Sequence, residues 1–140
     1  MLSVNVCGKS FLLLVKNPHL TIPTVIATIE ATLAADHRYK KSHFGDNIAN
    51  GYKHAAWNAL IAYYCQIFYT NPEKTLDWAK TITDLHEECF PNESEAKQMD
   101  LDNNKIGREA YLKLYNQNQK RPHKKILLDY IAKQDLKYLS

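Results

Sequence analysis

Turn-forming residues are scarce in this chain: four glycines and five prolines in 140 residues. This argues against a turn-rich all-β fold. No stretch reaches the roughly 20 apolar residues that a membrane-spanning helix needs. The apolar run near the start, Phe11 to Val15 in MLSVNVCGKSFLLLVKNP, is too short for a signal peptide, and no small-residue cleavage site follows it. The three cysteines, Cys7, Cys65 and Cys89, are an odd number without C-x-x-C spacing, which argues against a disulfide framework. Cys65 reads as a small hydrophobe in an apolar helix, and nothing calls for an oxidising compartment. The net charge of +3 does not point to nucleic acid, and an RNA-recognition signature is missing. The one basic cluster, Lys120, Arg121, His123, Lys124 and Lys125, reads as a solvated helix start. G-x-S-x-G, G-x-x-x-x-G-K-[ST] and H-E-x-x-H are all missing. The expectation is a soluble domain, cytoplasmic or exported without a cleavable signal.

Hydrophobic residues make up 45% of the chain, enough for one domain over residues 1–140 with a single core. The patterning predicts an all-α fold, a compact bundle of five or six helices around a central helix near 46–69. Phe11–Val15 opens a short helix closed by Asn17-Pro18. Val25, Ile26, Ile29, Leu33 and Ala34 recur with helical period between Thr21 and Lys40. Gly45 punctuates, and Asp46 can cap the central helix. Asn71-Pro72-Glu73 is a helix start with cap, proline and acid in order. Leu76, Ala79, Ile82 and Leu85 or His86 mark one face of that helix. Asn92-x-x-Glu95 has the form of a capping box. In the helix after it, Asn103-Asn104 and Gly107 are poor helix formers, so a kink or break near 100–107 is expected. Pro122 precedes a last helix whose buried side is Ile126, Leu127, Tyr130, Ile131 and Leu136.

Three clusters carry candidate chemistry. The first is a polar ladder on the central helix, Asp46, Asn50, His54 and Asn58, spaced four apart so that all share one stripe with Trp57 and Ile61. The helix is otherwise small or apolar nearly all round, which predicts burial. Each buried amide then needs partners, because an unpaired one costs roughly 1–3 kcal/mol. His54 can serve as acid, base or metal ligand. The second cluster is Thr81-x-x-Asp84-Leu85-His86-Glu87-Glu88. Its Asp, His and Glu can ligate a cation or orient a histidine on a neighbouring helix. The third runs from Met99 to Arg108. It fails as a calcium loop, since Lys105 and Tyr111 stand where Gly and Glu are required. Asp100, Asn103, Asn104 and Arg108 can instead turn inward and satisfy the ladder, with Gly107 allowing close helix approach. Arg108 can hold a carboxylate or an anionic substrate group.

In order along the chain, the clusters read N-x-x-x-H-A-x-W-N, D-x-H-E and M-D-L-x-N-N-x-x-G-R. The residues are Asn50, His54, Ala55, Trp57 and Asn58; Asp84, His86 and Glu87; Met99, Asp100, Leu101, Asn103, Asn104, Gly107 and Arg108. This pattern resembles an uncharacterised bacterial domain family that occurs as a terminal domain on secreted, toxin-like proteins. The motif-bearing region spans about residues 44–112. The chain departs from the family's pattern at Asp102 and at Gly51-Tyr52. The resemblance implies an all-helical domain with a polar site between helices and suggests an antibacterial effector, for which a cognate immunity protein would be a partner.

Two functional classes follow. In the first, the domain is a hydrolase of toxin type with His54, Asp84, His86 and Asp100 as catalytic residues. Asn50, Trp57, Asn58, Glu87, Asn103, Asn104 and Arg108 then position the site or bind substrate. A divalent metal is a candidate cofactor, with His54, Asp84 and His86 as its candidate ligands. Phosphate-containing envelope substrates, phospholipids or lipid-linked precursors, suit Arg108. In the second class the domain is a non-catalytic interaction module whose His/Asn/Asp network fixes helix register. The two differ in exposure. A catalytic His54 lines a solvent-reachable pocket, whereas a structural one is sealed and fully hydrogen-bonded.

Overall fold

Alanines dominate the helix on which the rest is built. The computed structural model describes residues 4–40 and 47–139. It contains helices α1 (Val4–Lys16), α2 (Pro18–Tyr39), α3 (Ile48–Cys65), α4 (Pro72–Cys89), α5 (Ser94–Asn118) and α6 (Lys124–Ala132). The fold is all-α, as the patterning predicts. Helix α3 is the core element and touches α2, α4, α5 and α6. Ala49, Ala55, Ala56, Ala59 and Ala62 favour helix intrinsically and are fully buried. Asn47 caps α3, its side chain accepting from the Asn50 amide at 3.0 Å. The proposed cap Asp46 lies outside the described residues. At the far end α3 stops at Cys65, and a 3₁₀ turn, Gln66–Phe68, follows it. The Gln66 amide donates to the carbonyls of Tyr69 and Asn71 and so carries the chain into α4.

The small faces of α2 and α3 meet. The buried residues of α2 are Leu20, Pro23, Thr24, Ala27, Ala31 and Ala35. The larger apolar residues that set its helical period, Val25, Ile26, Ile29 and Leu33, face outward, Ile29 being 57% and Leu33 61% exposed. Alanine against alanine lets the backbones approach more closely than branched side chains would, so hydropathy alone chose the wrong side of α2. Among the described residues no single helix is long and apolar enough to cross a membrane.

Helix α5 runs unbroken through the segment where a break is expected. Asn103 and Asn104 lose their usual helix-weakening effect because their side chains bond elsewhere. Asn103 brackets the C-terminal tail, donating to the Lys137 carbonyl at 2.7 Å and accepting from its amide at 2.8 Å. Gly107 lies against α3. A Cβ there would fall 2.0 Å from the Ala55 carbonyl oxygen. The capping box at Asn92 does not form: Glu93 holds the N-cap position, and the Asn92 side chain accepts only from the Glu93 amide. On α6 the buried side reduces to Leu127 and Ile131, with Leu136 beyond it, while Ile126 is exposed. The basic cluster is partly engaged rather than simply solvated: Lys124 pairs with Glu30 and Arg121 stacks on Tyr63.

Cysteine usage also differs from the sequence expectation. Cys7 and Cys89 form a disulfide with their Cα atoms 5.0 Å apart, joining α1 to α4, while Cys65 alone is free and buried. The pairing spans 82 residues, a relation that spacing along the chain does not reveal. Helix α1 has no buried residue of its own, so the covalent link does much of the work of holding it.

We predict that Gly107→Ala costs about 3 kcal/mol in urea unfolding, because the new methyl meets backbone rather than a mobile side chain. We also predict that reducing the disulfide frees α1 before the core. Amide exchange over residues 4–16 should rise to surface rates while α3 stays protected. Simultaneous loss of protection in α1 and α3 would show that the two are one cooperative unit.

Candidate functional site

Two ladders, their rungs four residues apart, face each other. Asn50, His54 and Asn58 on α3 meet Asp100, Asn104 and Arg108 on α5. Asn50 Nδ2 donates to Asp100 Oδ1 at 3.3 Å. His54 Nδ1 lies 3.3 Å from Asn104 Oδ1, and its Nε2 lies 3.4 Å from Asp100 Oδ1. Asn58 Nδ2 donates to Asn104 Oδ1 at 2.8 Å and to the His54 carbonyl at 3.1 Å. Arg108 Nη1 donates to Asn58 Oδ1 at 2.7 Å. The rungs advance together along both helices, so α3 and α5 run in the same sense. Helix α4 runs the other way between them. Its Thr83 hydroxyl meets Asn58 Oδ1 at 3.1 Å, and one turn on, Glu87 Oε1 lies 3.6 Å from His54 Nδ1.

Burial sets the electrostatics. His54 is 6% exposed, Glu87 4% and Asp100 6%. Burial, with the Lys53 charge adding to it, pushes the His54 pKa down to about 3, so the imidazole is neutral. Burial and the neighbouring Asp100 carboxylate push Glu87 up to about 7. Lys53 and His86 are both lowered by burial. Arg108 is lowered by burial too, opposed by the charge of Asp84. Two buried polar atoms at the centre, Glu87 Oε1 and Asn104 Nδ2, have no hydrogen-bond partner.

The centre reaches the surface on one side. A pocket of about 140 Å³ is lined by Lys53, His54, Trp57 and His86 and by Thr28, Ala31 and Thr32 of α2. His54 is thus buried but not sealed. Trp57 stands at its edge, its ring 5.1 Å from that of His86 and its Nε1 donating to Thr28 Oγ1 at 2.8 Å. A second cleft of about 230 Å³ shares Thr28, Trp57 and His86 and runs on between α1, α2 and α4 past Leu14, Val25 and Ile82.

The structure brings His54, Glu87, Asp100, Asn50, Asn58 and Asn104 together. Asp84, expected at the centre, does not join them: it is half-exposed and salt-bridged to Lys80 one turn away. Glu87 occupies the inward position instead, because Thr83 and Glu87, four apart, face α3. His86 lines the pocket rather than the centre. Arg108 binds Asn58 and does not line the pocket, and Asn103 serves the C-terminal tail. Among the candidate metal ligands only His54 belongs to a group that can chelate. It is formed with Glu87 and Asp100, one ligand atom from each lying within 4.8 Å of the others. Sequence reasoning missed Lys53, Thr28, Thr32 and Thr83. Lys53 is one residue off the polar stripe, and the threonines sit among apolar neighbours, so spacing gave no signal for any of them.

Asn58 uses its whole hydrogen-bonding capacity, two donations and two acceptances, whereas the Asn50 side chain makes one bond at the margin of the core. We predict that Asn58→Ala costs about 3 kcal/mol and Asn50→Ala about 1 kcal/mol in denaturant unfolding. Equal losses would show that the network is not graded from its closed end to its open end.

All of these residues fall within one stretch of family similarity. A family model described as Domain of unknown function (DUF6973) matches residues 11–135. Neither a curated protein nor a solved structure matches the chain. The match takes in both ladders, the pocket and five of the six helices in full, and the chain belongs to the DUF6973 family.

Proposed function

We propose that this domain is a toxin-like hydrolase acting on a phosphate-containing envelope amphiphile, a phospholipid or a lipid-linked precursor. The observation that carries this is the pairing of two spaces: a pocket over a neutral histidine, walled by a lysine, adjoins a more apolar cleft with which it shares Thr28, Trp57 and His86. Such a junction suits a molecule with an anionic head and a hydrocarbon tail. Lys53 takes the anion-holding role that the sequence assigned to Arg108. His54, kept unprotonated, has a lone pair beside the pocket that can hold a Lewis acid, a role its depressed pKa favours over that of proton acceptor. The outward apolar stripe of α2 lies one helical step from Thr28 and Thr32, so an amphiphile in a bilayer could reach the pocket along it. The Cys7–Cys89 disulfide supports work in an oxidising compartment such as the bacterial envelope.

The rival class, a purely structural network, has one observation in its favour: Asn58 and Asn104 are fully buried. That end of the ladders fits register-fixing. The His54 end borders the pocket.

We predict that the purified domain releases fatty acid or phosphate from phospholipid vesicles or a lipid-linked precursor. His54→Ala should lower the rate by about a hundredfold or more while its melt stays cooperative. In cells, growth should stop when the domain is exported and not when it is retained, and a cognate immunity protein should relieve the block. A folded His54→Ala protein with full activity or full toxicity removes His54 from the mechanism. If no such amphiphile is hydrolysed, the substrate class is wrong.

A further inference from the structure

The surroundings of His54 hold a contradiction in hydrogen bonding. Its Nε2 faces Asp100 Oδ1 at 3.4 Å. Its Nδ1 faces Glu87 Oε1 at 3.6 Å and Asn104 Oδ1 at 3.3 Å. The Asn104 amide cannot turn over to help, because its Oδ1 accepts from Asn58 Nδ2. Every one of these neighbours is an oxygen acceptor. A neutral imidazole has one N–H and one lone pair, and an ionised carboxylate only accepts. With Glu87 ionised, one ring nitrogen therefore sets its lone pair against oxygen lone pairs, and Glu87 Oε1, on a side chain 4% exposed, finds no hydrogen-bond donor. Two carboxylates and a lone pair converge where a positive centre belongs. The charges of both carboxylates act on Lys53 and raise its pKa against burial.

We propose that His54, Glu87 and Asp100 form a binding site for one divalent transition-metal cation of the zinc type. One ligand atom from each residue lies within 4.8 Å of the others. Bonds of about 2.0–2.2 Å to zinc place tetrahedral ligands about 3.4 Å apart, so the set closes by rotation of side chains, that of Glu87 having the longest reach. One nitrogen and two carboxylate oxygens suit a borderline cation better than an all-oxygen site built for calcium. Three protein ligands leave a fourth position, and the pocket at His54 gives it access to solvent. Asn50, donating to Asp100, orients one ligand from outside. Asp84 and His86 are not part of the set.

The inference concerns the same centre as the hydrolase proposal but is read by binding alone. A domain that binds zinc and hydrolyses nothing keeps this inference and loses that one. A hydrolase indifferent to chelator does the reverse.

The test is calorimetric titration of Zn²⁺ into the chelator-treated domain, with Mg²⁺ and Ca²⁺ in parallel. One Zn²⁺ per chain is expected, with a melting temperature that rises as the site fills. Glu87→Gln and Asp100→Asn should each weaken binding at least tenfold, and exposed His123→Ala should leave it unchanged. Without metal the two amide variants should melt no lower than the parent, since each removes a buried charge. Should either fail to fold, the ¹⁵N resonances of the His54 ring in the unaltered chain decide the matter, because only ligation shifts one nitrogen at one equivalent of Zn²⁺. No stoichiometric binding of Zn²⁺, binding that ignores both amide substitutions, or a His54 ring untouched by Zn²⁺ would each overturn the proposal.

Discussion

The contact between Gly107 and the Ala55 carbonyl governs the rest of the structure. With a side chain at 107, α3 and α5 would stand farther apart, and hydrogen bonds of 2.7–3.3 Å between the ladders would be out of reach. The glycine carries a helix-propensity cost of about 1 kcal/mol, and Asn103 and Asn104 beside it add smaller ones. The cost is offset by what the approach allows: Asn58 satisfied at both ends, Asn104 locked in orientation, and a cation at 108 brought to Asn58 Oδ1. The weak helix formers of α5 are the residues that make its interface. Helix α5 is kept continuous by its partners rather than by its own sequence.

The ladders are graded along their length. At Asn58 the polar groups of α3, α4 and α5 close on one another with no surplus acceptor. One turn earlier, at His54, acceptors outnumber donors and the pocket begins. The closed end supplies register: a buried, fully bonded amide tolerates no slip of one helix past another, because each displaced rung would strand donors at roughly 1–3 kcal/mol apiece. The open end inherits that register and uses it to hold His54, Glu87 and Asp100 together. The closed end fits register-fixing, and the open end is where the proposed chemistry would lie.

This division explains what could be read from the chain. Four-residue spacing on an alanine-rich segment announced the stripe, its burial and the need for partners on other helices, and the density of Asn and Asp from 100 to 108 named one source. The partner on α4 was ambiguous between two carboxylates almost a turn apart. Asp84 and Glu87 both lie near the inward face, and only the crossing of α4 over α3 puts Thr83 and Glu87 on it. The orientation of α2 was hidden for a different reason. Periodicity located an apolar stripe, but Ala27, Ala31 and Ala35 pack against alanines of α3 and leave the bulkier residues outside. The Cys7–Cys89 pairing needs α1 laid across α4, which no local pattern encodes.

The outward stripe of α2 and the tethered α1 then belong to one arrangement. Thr24, Thr28 and Thr32 line the inward edge of α2, and two of them bind tryptophans: Thr24 to Trp78 Nε1 at 2.9 Å and Thr28 to Trp57 Nε1 at 2.8 Å. These bonds fix the rim of both clefts from the α2 side. Helix α1, with no buried residue of its own, is fixed on the α4 side by the disulfide, and its Ser10 and Leu14 form part of the apolar cleft wall. The wall is held at one end by the disulfide and at the other by Leu13 and Leu14, which pack against the core, with the Leu14 carbonyl accepting from the Thr21 hydroxyl of α2. The register of α3 does not depend on that wall, since it is set at the closed end of the ladders.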